Sequence, residues 1–176
     1  MVAIRDADVQ DAAAIAHVHV QSWLTTYAGI VPAEYLASLN EAERTLSWRE
    51  RLGCAVDVFV AEADGPVIGF ASSGPLREPL GNYEAELYAI YLLEAAQGKG
   101  TGRRLVSRVA ASLLAKGFTS MIVWVLEQNP AVLFYERLGA QRVASKQVEI
   151  GGASLREIAL GWRDLKQIAL ATATAV

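Results

Sequence analysis

The sequence predicts a mixed α/β (α+β) domain: one central sheet of six to seven strands, mostly antiparallel, with helices on both faces. Three observations carry that expectation. Two stretches read as β-hairpins, one turning at Asp64-Gly65 and one at Gly151-Gly152. Between them, Glu84 to Leu126 reads as strand, helix, strand, which closes as a right-handed parallel crossover. Helical segments stand both before and within the run of strands, so both sheet faces need covering.

Residues 2–7 (VAIRDA) form a short first strand. Residues 8–27 carry acids in their first turn and read as a helix, interrupted by Gly29 and Pro32. Residues 32–39 and 40–52 are two further helical pieces, the second opened by Asn40 as N-cap. Residues 57–74 are the first hairpin and 77–83 a loop. Residues 84–93 (EAELYAIYLL) make a strand. Period two places Glu84, Glu86, Tyr88 and Ile90 on one side of it and Leu87, Ala89 and Tyr91 on the other. The segment AAQGKGTGRRLVSRVAASLLAKG, from Ala95 to Gly117, is a glycine-rich loop opening an amphipathic helix. Residues 119–126 (TSMIVWVL) are almost wholly apolar and β-branched, as in a buried strand. Residues 129–140 form a short helix with Asn129 as N-cap, Pro130 at the first helical position and Gly139 as C-cap. Residues 142–162 are the second hairpin. The expected domain spans residues 1–162, with 163–176 as a C-terminal tail.

Composition narrows the function classes. The chain has 176 residues, 53% hydrophobic and 20% charged, enough for one packed core and too apolar for disorder. No apolar run approaches a membrane span, and the opening residues lack a basic stretch followed by an apolar one, so no membrane partner or secretion is expected. Cys54 is the single cysteine, which excludes an internal disulfide; a cytoplasmic location is the expectation. One Cys with His17 and His19 is a poor ligand set, so no metal is expected. A net charge of −3 argues against nucleic acid as partner. Yet Lys99, Arg103, Arg104, Arg108 and Lys116 share a segment, from Ala95 to Leu126, that holds none of the 19 acidic residues. A local cation cluster in an acidic chain fits an anionic ligand, or else a solvated basic helix face.

The glycines decide which anion. A nucleotide-triphosphate loop needs Gly-x-x-x-x-Gly-Lys-Ser/Thr, but Gly98-Lys99 is followed by Gly100 and preceded at the required distance by Leu93. A dinucleotide fingerprint needs Gly-x-Gly-x-x-Gly, and its third glycine would fall on Arg103 or Leu105. What stands is Gln97-x-x-Gly100-x-Gly102 between a strand and a helix. Small residues there let backbone N–H groups and the helix dipole converge on a pyrophosphate. A bound anion would also offset Arg103 and Arg104 in the first helical turn, where cations oppose the dipole.

This segment resembles motif A of the GNAT N-acetyltransferase superfamily, Gln/Arg-x-x-Gly-x-Gly/Ala. Downstream, NPAVLFYERLGA is similar to the family's Asn-x-x-Ala-x-x-Phe-Tyr-Glu-x-x-Gly-Phe through Asn129, Phe134, Tyr135, Glu136 and Gly139. The chain departs from the pattern at Glu94, where proline is frequent, and at Ala96, where an aromatic or His is frequent. The resemblance implies a sheet splayed at the cofactor site and acetyl-CoA as acyl-donating cosubstrate. It implies cofactor binding by Gln97, Gly98, Lys99, Gly100, Thr101, Gly102 and Arg103, with the pyrophosphate on the amides from Gly98 to Arg103. The pantetheine arm would run between the strands ending near Leu92 and Leu126, with Asn129 beside it and the Leu92 amide on the thioester carbonyl.

Amine acetylation needs a neutral amine, a polarised thioester and a stabilised leaving thiolate. An amine of pKa near 10.4 is neutral in roughly one molecule per thousand at pH 7, a deficit of about 4–5 kcal/mol that makes a general base useful. Glu86 resembles the family's strand-borne base, acting directly or through water; equally, it reads as a strand-end carboxylate paired to a nearby cation. Glu84, nearer the strand start, reads as solvated. Tyr135 matches the family tyrosine that donates to the departing sulfur; full proton transfer from phenol to thiolate is uphill by roughly 2 kcal/mol, so hydrogen bonding is the larger contribution. The stretch SWLTTYAG is similar to a pattern in some members, which implies that Trp23, Thr26, Tyr27, Tyr35 and Trp48 shape the acceptor pocket; Trp23, Tyr27 and, on the Glu86 side of its strand, Tyr88 are the substrate-binding candidates. His17 and His19 read as surface or core histidines, and Cys54 as inert. The expected function is transfer of acetyl to a small-molecule primary amine by direct attack in a ternary complex. Acetylation of a protein N-terminus or lysine, a non-catalytic CoA-binding module, and a homodimeric assembly stay open.

Overall fold

The structure, a computed structural model, describes residues 1–54 and 56–170. Its strands are β1 (Val2–Asp6), β2 (Asp57–Ala63), β3 (Val67–Pro75), β4 (Ala85–Leu92), β5 (Met121–Leu126), β6 (Gln141–Ile150) and β7 (Ala153–Trp162). The helices are α1 (Ala12–Thr26), α2 (Ala33–Ala37), α3 (Glu41–Leu52), α4 (Thr101–Ala115), α5 (Ala131–Arg137) and α6 (Leu165–Leu170). All seven strands form one sheet in the order β1-β2-β3-β4-β5-β7-β6, antiparallel except for β4 against β5. The mixed fold, the strand count and the two hairpins agree with the sequence. Asn40 caps α3 as expected, its Oδ1 accepting the Ala42 and Glu43 N–H groups at 2.8 and 3.1 Å.

Each face has its own core. On one, Leu105, Val106, Val109 and Leu113 of α4 pack on Leu87, Val123, Ile158 and Leu160. On the other, Ile15 and Val18 of α1 and Trp48 of α3 pack on Val58, Val60 and Phe70. Full burial of a side chain of this size contributes about 1.5–3 kcal/mol.

The centre of the sheet is divided. β4 and β5 pair only through Ala85–Met121, Glu86–Ile122 and Leu87–Val123. Beyond that, β4 stays with β3 as far as Leu92 and β5 stays with β7 as far as Leu126, so the two halves part. A β-bulge sits where they separate: Ser73 pairs with Leu87 and Ser72 with Ala89, leaving Tyr88 as the extra residue. The bulge corrects the simple alternation expected for this strand. Ile90 joins Leu87 on the α4 face, while Ala89 and Tyr91 pack with Phe70 and Trp48 on the α1 face. One unpaired residue moves every following side chain to the opposite face.

Helical structure continues beyond residue 162, where the tail was expected to begin. Residues 165–170 form α6, with Leu165 and Ile168 buried in the α4-side core. Ser107 Oγ donates to the Ile168 carbonyl at 2.7 Å, and the Leu165 N–H to the Thr119 carbonyl at 3.0 Å. Residues 171–176 of the expected tail lie outside the described residues. Among those described, no helix is long and apolar enough to cross a membrane.

Candidate active site

The glycine loop leaves β4 and delivers the chain to the start of α4. Gly98 and Gly100 adopt φ of 73° and 82°, and a Cβ on either would meet nothing within 4 Å. Glycine serves there because an L-residue in this conformation costs about 1–2 kcal/mol. Gly100 is the N-cap of α4 and supplies no side chain, so the first N–H groups of the helix have no capping partner. Gly102 is needed for another reason: a Cβ would lie 3.2 Å from Phe134 Cζ and 3.3 Å from Leu92 Cδ1. The absent side chain lets α4 abut α5 and β4.

Of the basic residues here, Arg103 lines the cleft and has no ion pair among the described residues. Arg104 turns away to the Val2 carbonyl (3.1 Å), and Arg108 to Asp6 (3.0 Å) and the Phe59 ring. Lys99 and Thr101, expected beside the cofactor, are not among the residues lining the cleft. Lys99 Nζ bonds the Ala95 carbonyl at 2.9 Å on the exposed side of the loop, and the Thr101 side chain is buried. Gln97 braces the loop, its Nε2 donating to the Leu92 carbonyl at 3.1 Å.

A cleft of about 590 Å³ runs from this loop through the split in the sheet. Tyr88 to Leu92 line one side, and Val123 to Val125, Asn129, Phe134 and Tyr135 the other. The Leu93 N–H bonds the Ile68 carbonyl of β3. Strand alternation therefore directs the Leu92 N–H to the opposite edge, into the split. Ser22 of α1 also holds the Leu92 carbonyl at 3.1 Å. Tyr135 is buried, and its hydroxyl has no hydrogen-bond partner among the described residues. Burial, helped by the nearby Tyr27, pushes its phenol well above the ordinary range, so the group is a neutral donor. Asn129 does two things: its Oδ1 accepts the Ala131 N–H at 2.8 Å, and its Nδ2 donates to the Tyr27 hydroxyl at 3.1 Å.

The residues expected around the acceptor are not equally placed. Tyr27 and Tyr88 line the cleft. Trp23 lies behind Tyr27, ring centroids 4.5 Å apart, with its indole nitrogen buried. Glu86 is 2% exposed and stands outside the cleft lining. Arg77 grips its carboxylate: Nε (3.1 Å) and Nη2 donate to Oε1, and the backbone N–H to Oε2 at 3.2 Å. The guanidinium also covers the Tyr88 ring, 4.9 Å from its centroid. Of the two sequence readings of Glu86, the paired carboxylate is the one this geometry matches. Glu84 is bound by the Thr119 N–H and hydroxyl at 2.7 and 2.8 Å. His19 is buried, stacks on Tyr91 and accepts from Trp48 Nε1 at 3.2 Å. His17 is exposed beside Glu41, and Cys54 is exposed.

Several residues of the site are not evident in sequence. Ser22 and Trp124 had local signals, one inside SWLTTY and the other the lone aromatic in MIVWVL. Arg77, Lys146 and Glu157, charged residues from a loop and two distant strands that stand near the cleft but outside its lining, gave none. Among the described residues, no group of three or more His, Cys, Asp or Glu side chains could hold a metal ion.

A family model described as the acetyltransferase (GNAT) family matches residues 20–140. The chain is 48% identical over 169 residues to the uncharacterized N-acetyltransferase YuaI of Bacillus subtilis, covering 96% of each. It is 30% identical over 149 residues to the L-methionine sulfoximine/L-methionine sulfone acetyltransferase of Salmonella typhimurium, covering 84% of each. Among solved structures it is similar to yncA from Salmonella typhimurium with its cofactor acetyl-CoA, with a TM-score of 0.71 and 28% identity over 93% of this chain and 94% of that one.

Proposed function

The chain belongs to the acetyltransferase (GNAT) family, and on that premise we propose that it transfers an acetyl group from acetyl-CoA to the primary amine of a small molecule, by direct attack in a ternary complex. The observation that carries this is the split between β4 and β5, opening directly onto the uncapped start of α4. A free strand edge fits an extended amide-bearing arm, and open left-handed glycines at a helix start fit a diphosphate. Acetyl-CoA, when bound, supplies the acyl group as a thioester.

The protein's own groups divide the remaining work. The N–H groups from Gly98 to Arg103, with the Arg103 side chain, hold the diphosphate. The Leu92 N–H polarises the thioester carbonyl, and the Ser22 and Gln97 bonds to the same residue fix its peptide. Tyr135 donates a hydrogen bond to the sulfur as charge develops there. Asn129 stands beside the arm and orients Tyr27. Tyr27 and Tyr88 flank the acceptor, with Trp23 buttressing Tyr27. Glu86 anchors Arg77, and through it the loop that closes the acceptor end. The relative that acetylates methionine sulfoximine and methionine sulfone supports a small amine bearing an apolar or amino-acid-like body.

Acetyl-CoA consumption over a panel of L-methionine sulfone, aliphatic monoamines, polyamines and a lysine peptide tests the reading. Turnover with a small amine is expected. Tight acetyl-CoA binding with no turnover on any amine overturns it in favour of a non-catalytic CoA-binding module, and turnover on the peptide alone favours protein acetylation.

A further inference from the structure

The acetyl transfer proposed above needs a group to take the amine's proton, and Glu86 has both carboxylate oxygens committed to Arg77. A second carboxylate stands on the same side of the divided sheet. Glu157 of β7 lies opposite Leu126, the last residue of β5, and opposite Lys146 of β6. Ile158 and Leu160 join the α4-side core, so alternation turns Glu157 to the α1 face. Its neighbours there are Leu126 and Leu155, which pack with Tyr27. Trp124, which lines the cleft, is Leu126's neighbour along the same face of β5, so Glu157 stands next to the cleft wall although it is not itself among the lining residues.

Glu157 is half-buried, and its carboxylate has no hydrogen bond or ion pair among the described residues. Two cations face it, Lys146 from β6 and Arg77 from the loop after β3, but both are engaged elsewhere. Lys146 Nζ lies 4.2 Å from the Trp124 ring centroid and 3.6 Å from Glu78, and Arg77 is held by Glu86. The other titratable groups facing it are Glu86 from β4 and Tyr27 at the end of α1. Burial raises its carboxyl above the ordinary range; Lys146 and then Arg77 pull it down, and Glu86 pushes it up. A half-buried carboxylate without a partner is costly in a finished fold, and an ammonium ion is the partner that satisfies it.

We propose that Glu157 is the carboxylate that receives the acceptor's ammonium group and takes its proton, selecting cationic primary amines whose body packs against Trp124 and Tyr27. The first proton of the ammonium passes to Glu157, which returns it to solvent through its exposed side. The nitrogen lone pair then forms the bond to the acyl carbon, the carbon–sulfur bond breaks, and the nitrogen's second proton goes to sulfur. Amide and free thiol are the products.

The test uses Glu157→Gln, Glu157→Asp and Lys146→Ala with L-methionine sulfone and n-butylamine as acceptors. In Glu157→Gln, kcat/KM for the amine is expected to fall about 100- to 1,000-fold while the Kd for acetyl-CoA stays within twofold. The acid limb of the kcat/KM profile disappears. Glu157→Asp regains part of the activity. Lys146→Ala, which removes the main cation acting on Glu157, moves the acid limb to higher pH. Titration of n-butylammonium into the CoA-loaded protein reads the same contact without turnover, and Glu157→Gln weakens it at least tenfold. Wild-type values of kcat/KM and an unmoved acid limb in Glu157→Gln overturn the assignment. Failure of the parent reading looks different: the wild-type protein then consumes no acetyl-CoA with any amine, and both fall together.

Discussion

Asn129 Nδ2 donates to the hydroxyl of Tyr27 at 3.1 Å, joining the end of α1 to the start of α5 across the cleft. Both side chains are buried. Tyr27→Phe strands the amide donor, at a cost of about 1–3 kcal/mol. Asn129→Ala costs more, because it also removes the oxygen that accepts the Ala131 N–H. Chemical denaturation of both single variants and the double variant checks this: the two losses should fall short of additive, and full additivity would show that the pair is not coupled.

Tyr135→Phe removes a hydroxyl that has no hydrogen-bond partner among the described residues, so stability should barely change. The proposed role at sulfur predicts a drop in kcat of about 100-fold with acetyl-CoA affinity retained. Single-turnover kinetics beside calorimetric Kd values separates the two. An unchanged kcat removes Tyr135 from the chemistry.

The two loop glycines should fail differently on substitution by alanine. Gly100→Ala meets open space, so it costs only the backbone penalty of about 1–2 kcal/mol and weakens CoA binding in proportion. Gly102→Ala pushes a methyl group against Phe134 and Leu92, separating α4 from β4, and should hurt CoA affinity more than stability. CoA titration and thermal melts of the pair give the comparison, and equal CoA affinities in the two variants would refute it.

Arg77 and Glu86 form an asymmetric pair, one side chain 61% and the other 2% exposed. Arg77→Met leaves a carboxylate buried without its partner, and should destabilise by about 2–3 kcal/mol, below the fully buried case because the arginine is solvated. Glu86→Gln leaves a cation that water can reach and should cost less. Urea denaturation ranks them; the reverse order would mean that the pair does not hold the loop.

His19 makes the fold sensitive to acid. Burial, with Arg44 and Arg51 adding, lowers its pKa from 6.5 to about 3. The unfolded chain therefore takes up this proton first, so stability rises with pH across that interval. The contribution is complete above pH 6.5 and is lost at up to about 1.4 kcal/mol per unit as pH falls toward 3. His19→Phe should flatten that slope in denaturation curves at pH 7, 6, 5 and 4. An unaltered slope would assign the acid sensitivity to other groups.

The parts of the site that sequence made legible are those built within one segment. Gln97, Gly100 and Gly102 are a local arrangement of backbone, and Tyr135 sits on the helix that follows β5. The bulge at Tyr88 was hidden because it belongs to the pairing with β3, and no pattern within EAELYAIYLL marks the extra residue. The same holds for the Arg77–Glu86 pair and for Glu157, whose surroundings come from elements far apart in the chain. Helix α6 escaped notice for another reason: a six-residue helix has one buried face, here Leu165 and Ile168, and polar residues between them resemble a tail.

The short junction of β4 with β5 has a consequence for the protein's behaviour among other proteins. Unpaired strand edges invite foreign strands, and free chains can join them into aggregates. Here the two bare edges face each other inside the molecule, with α1 and α5 at the mouth. A slender arm carrying amide groups can slide in end-on, whereas a β-strand flanked by its own sheet has no room to approach. The same recess that keeps backbone groups available to the cosubstrate guards them against the wrong company.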